Sequence, residues 1–301
     1  MHQDVILVGG GPAGLSAALM LGRARKRTLL LDAGPARNAR AVGVHNFVTR
    51  DGISPRDFRA AAHADLRAYP SVEAREARVV DIARDGDRLH VTLEDGTVET
   101  TRRVLLSTGI VDVPPPIPGL AEVWGTSAFQ CPYCHGWEGQ DQPWGVYVTA
   151  DALAPWALLL LGWTSRLTVF TDGRTLSAEV LAQFAEAGVR VETRSIARLH
   201  SDAGHLQQIE VEGGEIVSAT SLFLRPEQRP TAIVTRLGLA LDDQGLVKVS
   251  EMKESSMPGV HVAGDATTMF QGAVAAAAAG TMAAAMMNHG LTHEDVVARL
   301  R

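Results

Sequence analysis

The first 32 residues constrain this chain more than any other stretch. Asp4 to Val8 (DVILV) is an apolar run that ends on glycine, the pattern of a strand buried in a parallel sheet. Gly9-Gly10-Gly11-Pro12-Ala13-Gly14 follows and fits G-x-G-x-x-G through Gly9, Gly11 and Gly14. Leu15 to Arg23 then carries a helical pattern, and a second strand, Thr28 to Leu31, delivers Asp32. Each glycine has its own task. Gly9 makes the tight turn, Gly11 lets backbone approach a pyrophosphate, and Gly14 lets the helix pack on the strand. The helix N-terminus offers N–H groups to the phosphates. Asp32, eighteen positions after Gly14, suits hydrogen bonds from ribose hydroxyls. Strand, turn, helix, strand and acid in one register predict a dinucleotide-binding unit rather than a bare glycine turn. The motif alone does not separate NAD from FAD.

At 301 residues and 32.1 kDa the chain has room for two domains with separate cores. Apolar residues at 46% and charged residues at 21% describe a folded globular protein. A net charge of −6 without a basic run argues against a nucleic-acid surface. No apolar run reaches the roughly 18 residues a membrane helix needs. The longest, around Ala273 to Met287, is interrupted by Gly280 and Thr281. MHQDVILVGGG runs straight into strand and turn without a leader pattern, so a cytoplasmic protein is expected.

The C-terminal part bears on the cofactor. Pro258-Gly259-Val260-His261-Val262-Ala263-Gly264-Asp265 resembles the second FAD motif of flavoproteins with two dinucleotide-binding domains. There the acid corresponding to Asp265 hydrogen-bonds the ribityl chain. Gln271 and a helix of small residues, Gly272 to Met287, come next; in that family such a helix points its N-terminus at the flavin, where the dipole favours the anionic reduced ring. The stretch VLLSTGIVDVPPPIPG, with Thr108 and Gly109, is similar to the family's third conserved segment.

The only two cysteines, Cys131 and Cys134, lie in Gln130-Cys131-Pro132-Tyr133-Cys134-His135-Gly136-Trp137-Glu138. An isolated C-x-x-C in a reducing compartment points to redox chemistry or half of a metal site. With Cys131 as N-cap and Pro132 at the first helical position, the pair can close a small disulfide whose exposed sulfur is acidified by the helix. C-x-x-C-H is also the c-type haem signature, but export and a haem pocket are not suggested. A zinc site lacks an obvious fourth ligand beside Cys131, Cys134 and His135, so no metal is expected. A pair of structural thiols is the remaining alternative.

Along essentially its whole length the chain resembles the low-molecular-weight thioredoxin reductases, and the CPYCHG form looks closest to the FAD-dependent dithiol oxidases of natural-product biosynthesis. The resemblance implies an α/β, Rossmann-like flavoprotein with a discontinuous FAD domain, 1–112 and 230–301. Inserted into it is a degenerate nucleotide-binding domain, 113–229, that carries the dithiol. It implies FAD contacts at Gly9, Gly11, Pro12, Ala13, Gly14, Asp32, Ala33, Arg37, Asn38, Asn46, Val79, Thr108, Gly109, Gly264, Asp265, Gln271, Gly272 and Ala273. It further implies that Cys134 faces the flavin while Cys131 exchanges with substrate. His135 is the expected base for an incoming thiol, with His45 as second candidate. A homodimer without nucleic-acid or membrane partners is implied as well.

One departure from the reductases stands out. Their inserted domain carries a G-x-G-x-x-A turn and a His-Arg-Arg cluster for NADPH. Here the strand Trp144 to Val148 leads into Thr149-Ala150-Asp151-Ala152-Leu153-Ala154-Pro155, without glycine, and Leu167 to Phe170 leads into Thr171-Asp172-Gly173. Side chains at 150 and 152 obstruct the backbone, and Asp151 is repulsive to pyrophosphate. The expectation is therefore a dithiol oxidase that makes a disulfide in a small molecule with O2 as acceptor. Alternatives are a disulfide reductase fed by NAD(P)H or a ferredoxin-like protein, with a thioredoxin-like partner, and a non-catalytic flavin redox sensor. A locked arrangement of dithiol against flavin is also expected. Trp124, Trp137, Trp144, Trp156 and Trp163 are expected to be core and interface, unless Trp137 lines a substrate pocket.

Overall fold

The computed structural model describes residues 3–300. They form two compact units. One comprises the chain up to Ala39, Asn46–Val111 and Gln228 onward; the other comprises Arg40–His45 and Asp112–Glu227.

In the first unit Gln3–Val8 lies parallel between Thr28–Asp32 and Val98–Leu106, and Val72–Glu76 extends the sheet beyond Thr28–Asp32. Val98–Leu106 serves two partners on its other edge. Its first half pairs antiparallel with Arg88–Leu93, which pairs with Val79–Asp85, while its last residues pair parallel with Val260–Val262. Alternation fixes the central strands: Ile6, Val8, Leu29, Leu31 and Leu106 enter the core on one face, Val5, Leu7, Leu30 and Leu105 the core on the other. Burial of each such side chain contributes about 1.5–3 kcal/mol. A meander over Arg75 to Glu99 is the sequence expectation. Its first strand instead begins at Val79, because Arg75 is paired with Leu31 at the edge of the parallel sheet.

The helix after the glycine turn runs Pro12–Arg23 and buries Leu15, Ala17, Ala18 and Leu21 on one side. The amphipathic pattern of Asp57 to Tyr69 predicts a helix; the helix runs Pro55–Leu66, since Ser54 caps it by accepting from the Asp57 N–H at 3.1 Å. The small-residue helix continues thirteen residues past Met287, as Ala273–Leu300. Leu291 is fully buried, and Asp295 accepts from Arg102 at 2.7 Å and pairs with Lys26 at 3.5 Å. Those tertiary contacts hold a stretch that is too polar to read as core. No helix among the described residues is long and apolar enough to cross a membrane.

The second unit repeats the plan. Its parallel sheet has the order Arg190–Glu192, Leu167–Phe170, Trp144–Tyr147, Ser221–Phe223, Ala128–Phe129. An antiparallel meander, Ile196–Asp202, His205–Val211 and Ile216–Ser218, accompanies it. Trp144 and Trp156 are core, whereas Trp137 is 71% exposed.

Candidate active site

The glycine turn has the geometry its spacing predicts. Gly9 sits at φ +107°, and a Cβ there would come within 2.5 Å of the Ser107 carbonyl oxygen. A Cβ on Gly14 would stand 1.9 Å from the Gly9 carbonyl oxygen, so helix and strand meet backbone to backbone. Above Gly11 there is open space: an added Cβ meets no atom within 4 Å. Gly11 is the N-cap of a twelve-residue helix with no side-chain cap, and Pro12 at the first position has no N–H to satisfy. An open, uncapped helix start of this kind fits a pyrophosphate. Ser107, absent from the expected contacts, ties the turn together by donating to the carbonyls of Val8 (3.0 Å) and Gly9 (2.9 Å).

Asp32 accepts from the Gly10 N–H at 3.0 Å and is ion-paired with Arg59. Arg59, on the helix Pro55–Leu66, has no sequence signal that would mark it. A cleft of ≈ 480 Å³ opens here, lined by Asp32, Gly34, Arg56, Arg59, His63 and Arg75. Burial, with Arg59 beside it, pushes the His63 imidazole below its ordinary range. Ala33 follows Asp32, half-buried; Asn38 is exposed in the turn 37–40; the Val79 side chain lies in the core.

A second cluster gathers residues distant in sequence. Arg37 donates to Asp265 Oδ2 at 2.9 Å and to Gln271 Oε1 at 2.7 Å, and Gln271 exchanges hydrogen bonds with Gln228 at 2.8 and 3.0 Å. Gly264, at φ +89°, passes the Pro12–Arg23 helix so closely that its Cβ would be 3.1 Å from that of Ala13. Thr108 shares a 2.9 Å hydroxyl hydrogen bond with Thr231, and Gly109 (φ +67°) and Gly272 have open space at their Cβ positions. Asn46, at φ +61°, donates its N–H to Asp51 at 2.8 Å.

In the second unit Cys131 and Cys134 are joined as a disulfide, with Cα atoms 5.3 Å apart. Cys131 is the N-cap and Pro132 the first residue of a helix only four residues long, Pro132–His135. One turn carries little macrodipole, so acidification of a freed sulfur would have to come from local N–H groups rather than from a helix as expected. The loop after the sulfurs is pinned by tryptophan. A Cβ on Gly136 would strike the Pro132 carbonyl at 2.6 Å and the Trp163 ring at 2.8 Å, and Trp144 Nε1 donates to the Gly139 carbonyl at 2.8 Å.

His135 stacks on Phe129 with ring centroids 4.2 Å apart. Burial pushes it down to about 4, Glu138 opposing the shift and His45 adding to it, so the ring is neutral at physiological pH. His45 arrives from the Arg40–His45 segment, and its Nε2 stands 3.3 Å from Glu138 Oε1. His135, His45 and Glu138 are thus neighbours in one unit, and His135 follows Cys134 directly in the chain. Glu138 is a residue that reading the motif alone passes over.

The second nucleotide turn is built differently from the first. Ala150 is the N-cap of a 3₁₀ turn, Asp151–Leu153, and Asp151 Oδ1 accepts the Ser177 N–H at 3.0 Å. Asp172, at φ +53°, is occupied at both oxygens, by the Tyr147 hydroxyl (2.8 Å) and the Ile196 N–H (2.8 Å). Burial and that Asp172 contact raise the Tyr147 phenol above its ordinary range.

A Rossmann-type dinucleotide turn in one α/β unit and a disulfide in another define the class of two-domain disulfide oxidoreductases. The family description pyridine nucleotide-disulphide oxidoreductase matches residues 3–154. Thioredoxin reductase tcpT of Claviceps purpurea is 31% identical, over 94% of this chain and 92% of its own. The crystal structure of HlmI superposes with a TM-score of 0.94 at 33% identity, over 100% of this chain and 96% of that one. An oxidoreductase from Agrobacterium tumefaciens superposes with a TM-score of 0.91 at 35% identity, over 97% and 99%. The chain belongs to the pyridine nucleotide-disulphide oxidoreductase family, as a thioredoxin reductase-like enzyme. The cofactor of these enzymes is FAD, and the open cradle at Gly11 fits its pyrophosphate.

Proposed function

We propose that this enzyme is a dithiol oxidase that closes a disulfide in a small molecule and passes the electrons to O2. The observation that carries the reading is the second nucleotide turn, where Ala150 stands in place of glycine and Asp151 is spent on the Ser177 N–H. A pyrophosphate there would meet a carboxylate and side chains instead of open backbone. In this reading the electrons come from thiols.

In this reading residues 1–112 and 230–301, less the segment Arg40–His45 that the fold gives to the second unit, hold FAD, with Arg37, Asp265 and Gln271 arranging polar groups near the C-terminal Gly-Asp strand end, and 113–229 carry the redox pair. A substrate thiolate attacks Cys131 Sγ, the Sγ–Sγ bond breaks, and Cys134 leaves as thiolate. The second substrate thiolate attacks the substrate sulfur of the mixed disulfide, releasing product disulfide and the Cys131 thiolate. The cysteine pair now holds two electrons. FAD supplies a two-electron acceptor that oxygen reoxidises, so each disulfide made consumes one O2 and yields one H2O2. The exposed Trp137 and Tyr133 give the dithiol segment an apolar face for a small flat substrate.

The test is an oxygen electrode with a peroxide assay. Dithiothreitol should drive O2 uptake with equimolar peroxide, and NADPH should drive none; uptake with NADPH but not with the dithiol would refute the reading. The likeness to thioredoxin reductase tcpT favours a second reading: the same pair run backwards to reduce a disulfide.

A further inference from the structure

Asp32 is held from two sides. Its Oδ1 accepts the Gly10 N–H at 3.0 Å, and its Oδ2 is ion-paired with the Arg59 guanidinium. A Cβ on Gly10 would stand 2.6 Å from the Asp32 carboxyl carbon, so the middle residue of Gly9-Gly10-Gly11 is bare because the carboxylate lies over it. Arg59 reaches the acid from the helix Pro55–Leu66. Leu66 is buried and Ala62 packs against the same core. Positions 59, 62 and 66 fall on one helical stripe, so Arg59 continues the face that docks on the sheet. The Arg59 and Asp32 side chains are only 25% and 19% exposed, and both line the cleft at the end of the strand Thr28–Asp32.

The other basic groups of that cleft are engaged elsewhere. Arg75 pairs with Glu73 at 2.8 Å and with Glu99 at 2.6 Å, and Arg56 extends into solvent beside Asp57. The His63 imidazole, held below its ordinary range by burial and by Arg59, is neutral at physiological pH. Arg59 is thus the cation that Asp32 meets. A carboxylate offers about four lone-pair sites, and Gly10 and Arg59 take one on each oxygen.

We propose that Arg59 is a positioning residue for the adenosine half of FAD: by holding Oδ2 it fixes the Asp32 carboxylate with its remaining lone pairs toward the ribose hydroxyls, and so sets how firmly the enzyme retains a ribose-bearing cofactor. The inference rests on adenosine lying at Asp32, and it is the same whether the sulfur pair oxidises thiols or reduces disulfides. The hydroxyls donate and the carboxylate accepts. Without Arg59 the acid keeps a single N–H tether, and binding must then order the side chain as well as the ligand. Lysine would return the charge without the planar fork that sets a carboxylate's orientation.

The test loads the full-length enzyme with FAD or with the FAD analogue whose adenosine lacks both ribose hydroxyls. Release on dilution is followed by the regain of flavin fluorescence in the parent, Arg59→Met and Arg59→Lys. In the parent the dideoxy analogue should leave at least about tenfold faster than FAD, because a hydrogen bond to a carboxylate is worth that factor or more. Arg59→Met should release FAD about tenfold faster and change the analogue's rate by less than about threefold, so that the gap between the two flavins closes. Arg59→Lys should leave a gap of intermediate size. A gap in Arg59→Met as wide as the parent's would overturn the proposal, because lost charge near the pyrophosphate or loosened helix docking would speed both flavins alike. A full parental gap in Arg59→Lys would also overturn it, assigning the effect to charge rather than orientation. Where Arg59→Met does not fold, Arg59→Lys alone decides by the same comparison. A parent that releases both flavins equally would take the ribose away from Asp32 and sink the proposal, leaving the thiol chemistry above untouched.

Discussion

A methyl group on Gly280 would stand 2.0 Å from the carbonyl oxygen of Ala13. The C-terminal helix and the helix after the glycine turn therefore touch backbone to backbone, at the helix start whose open cradle fits a pyrophosphate. Gly280→Val should force them apart, costing about 3 kcal/mol or more and lowering FAD content. Gly290, in the same helix, has nothing within 4 Å of its Cβ position, and Gly290→Ala should be neutral or stabilising by up to about 1 kcal/mol. Thermal melts and the flavin-to-protein absorbance ratio report both.

Two glycines of the turn should fail in different ways. Gly11→Val should leave a folded apoprotein with little FAD, because open space surrounds the Cβ position until a pyrophosphate arrives. Gly14→Ala should lower the melting temperature of the apoprotein itself, since its methyl would lie 1.9 Å from the Gly9 carbonyl oxygen. Circular-dichroism melts of cofactor-stripped protein separate the two; equal apoprotein stability for both variants would refute the division of roles.

Acid should weaken the fold through buried histidines. Burial pushes His135 and His261 each down to about 4, against about 6.5 in an unfolded chain. Between those values the unfolded state binds more protons than the folded one, so stability rises with pH across the window and is lost as pH falls through it. His261 is 5% exposed, and its buried Nδ1 has no hydrogen-bond partner among the described residues. The slope should approach about 1.4 kcal/mol per pH unit for each histidine inside that window. Urea midpoints at pH 4.5, 5.5 and 6.5 should fall with acid in the parent and more gently in His261→Leu; parallel slopes would assign the effect to other groups.

What the sequence made legible is local or pairwise in period. The glycine turn, the strand that ends at Asp32 and the cysteine N-cap each depend on a few adjacent residues, and all three fold as their spacing predicts. Less legible were features decided by partners far along the chain. The last half of the C-terminal helix is held by Arg102 and Lys26 reaching Asp295, and neither partner is near it in sequence. Arg59 at Asp32 and Glu138 at His45 are ordinary exposed-type charges until the fold supplies a partner. The segment Arg40–His45 has no period at all; its ties to the second unit, Arg40 to the carbonyls of Ala121 and Glu122 and His45 to Glu138, join residues far apart in the chain.

Anaerobic stopped-flow absorbance of the flavin, with one dithiol and one nicotinamide donor offered separately, bears most directly on whether thiols feed this enzyme. The account predicts rapid bleaching by dithiothreitol that Cys134→Ser abolishes while FAD stays bound, and no bleaching by micromolar NADPH. Rapid bleaching by NADPH, or dithiol bleaching that survives in Cys134→Ser, would contradict it.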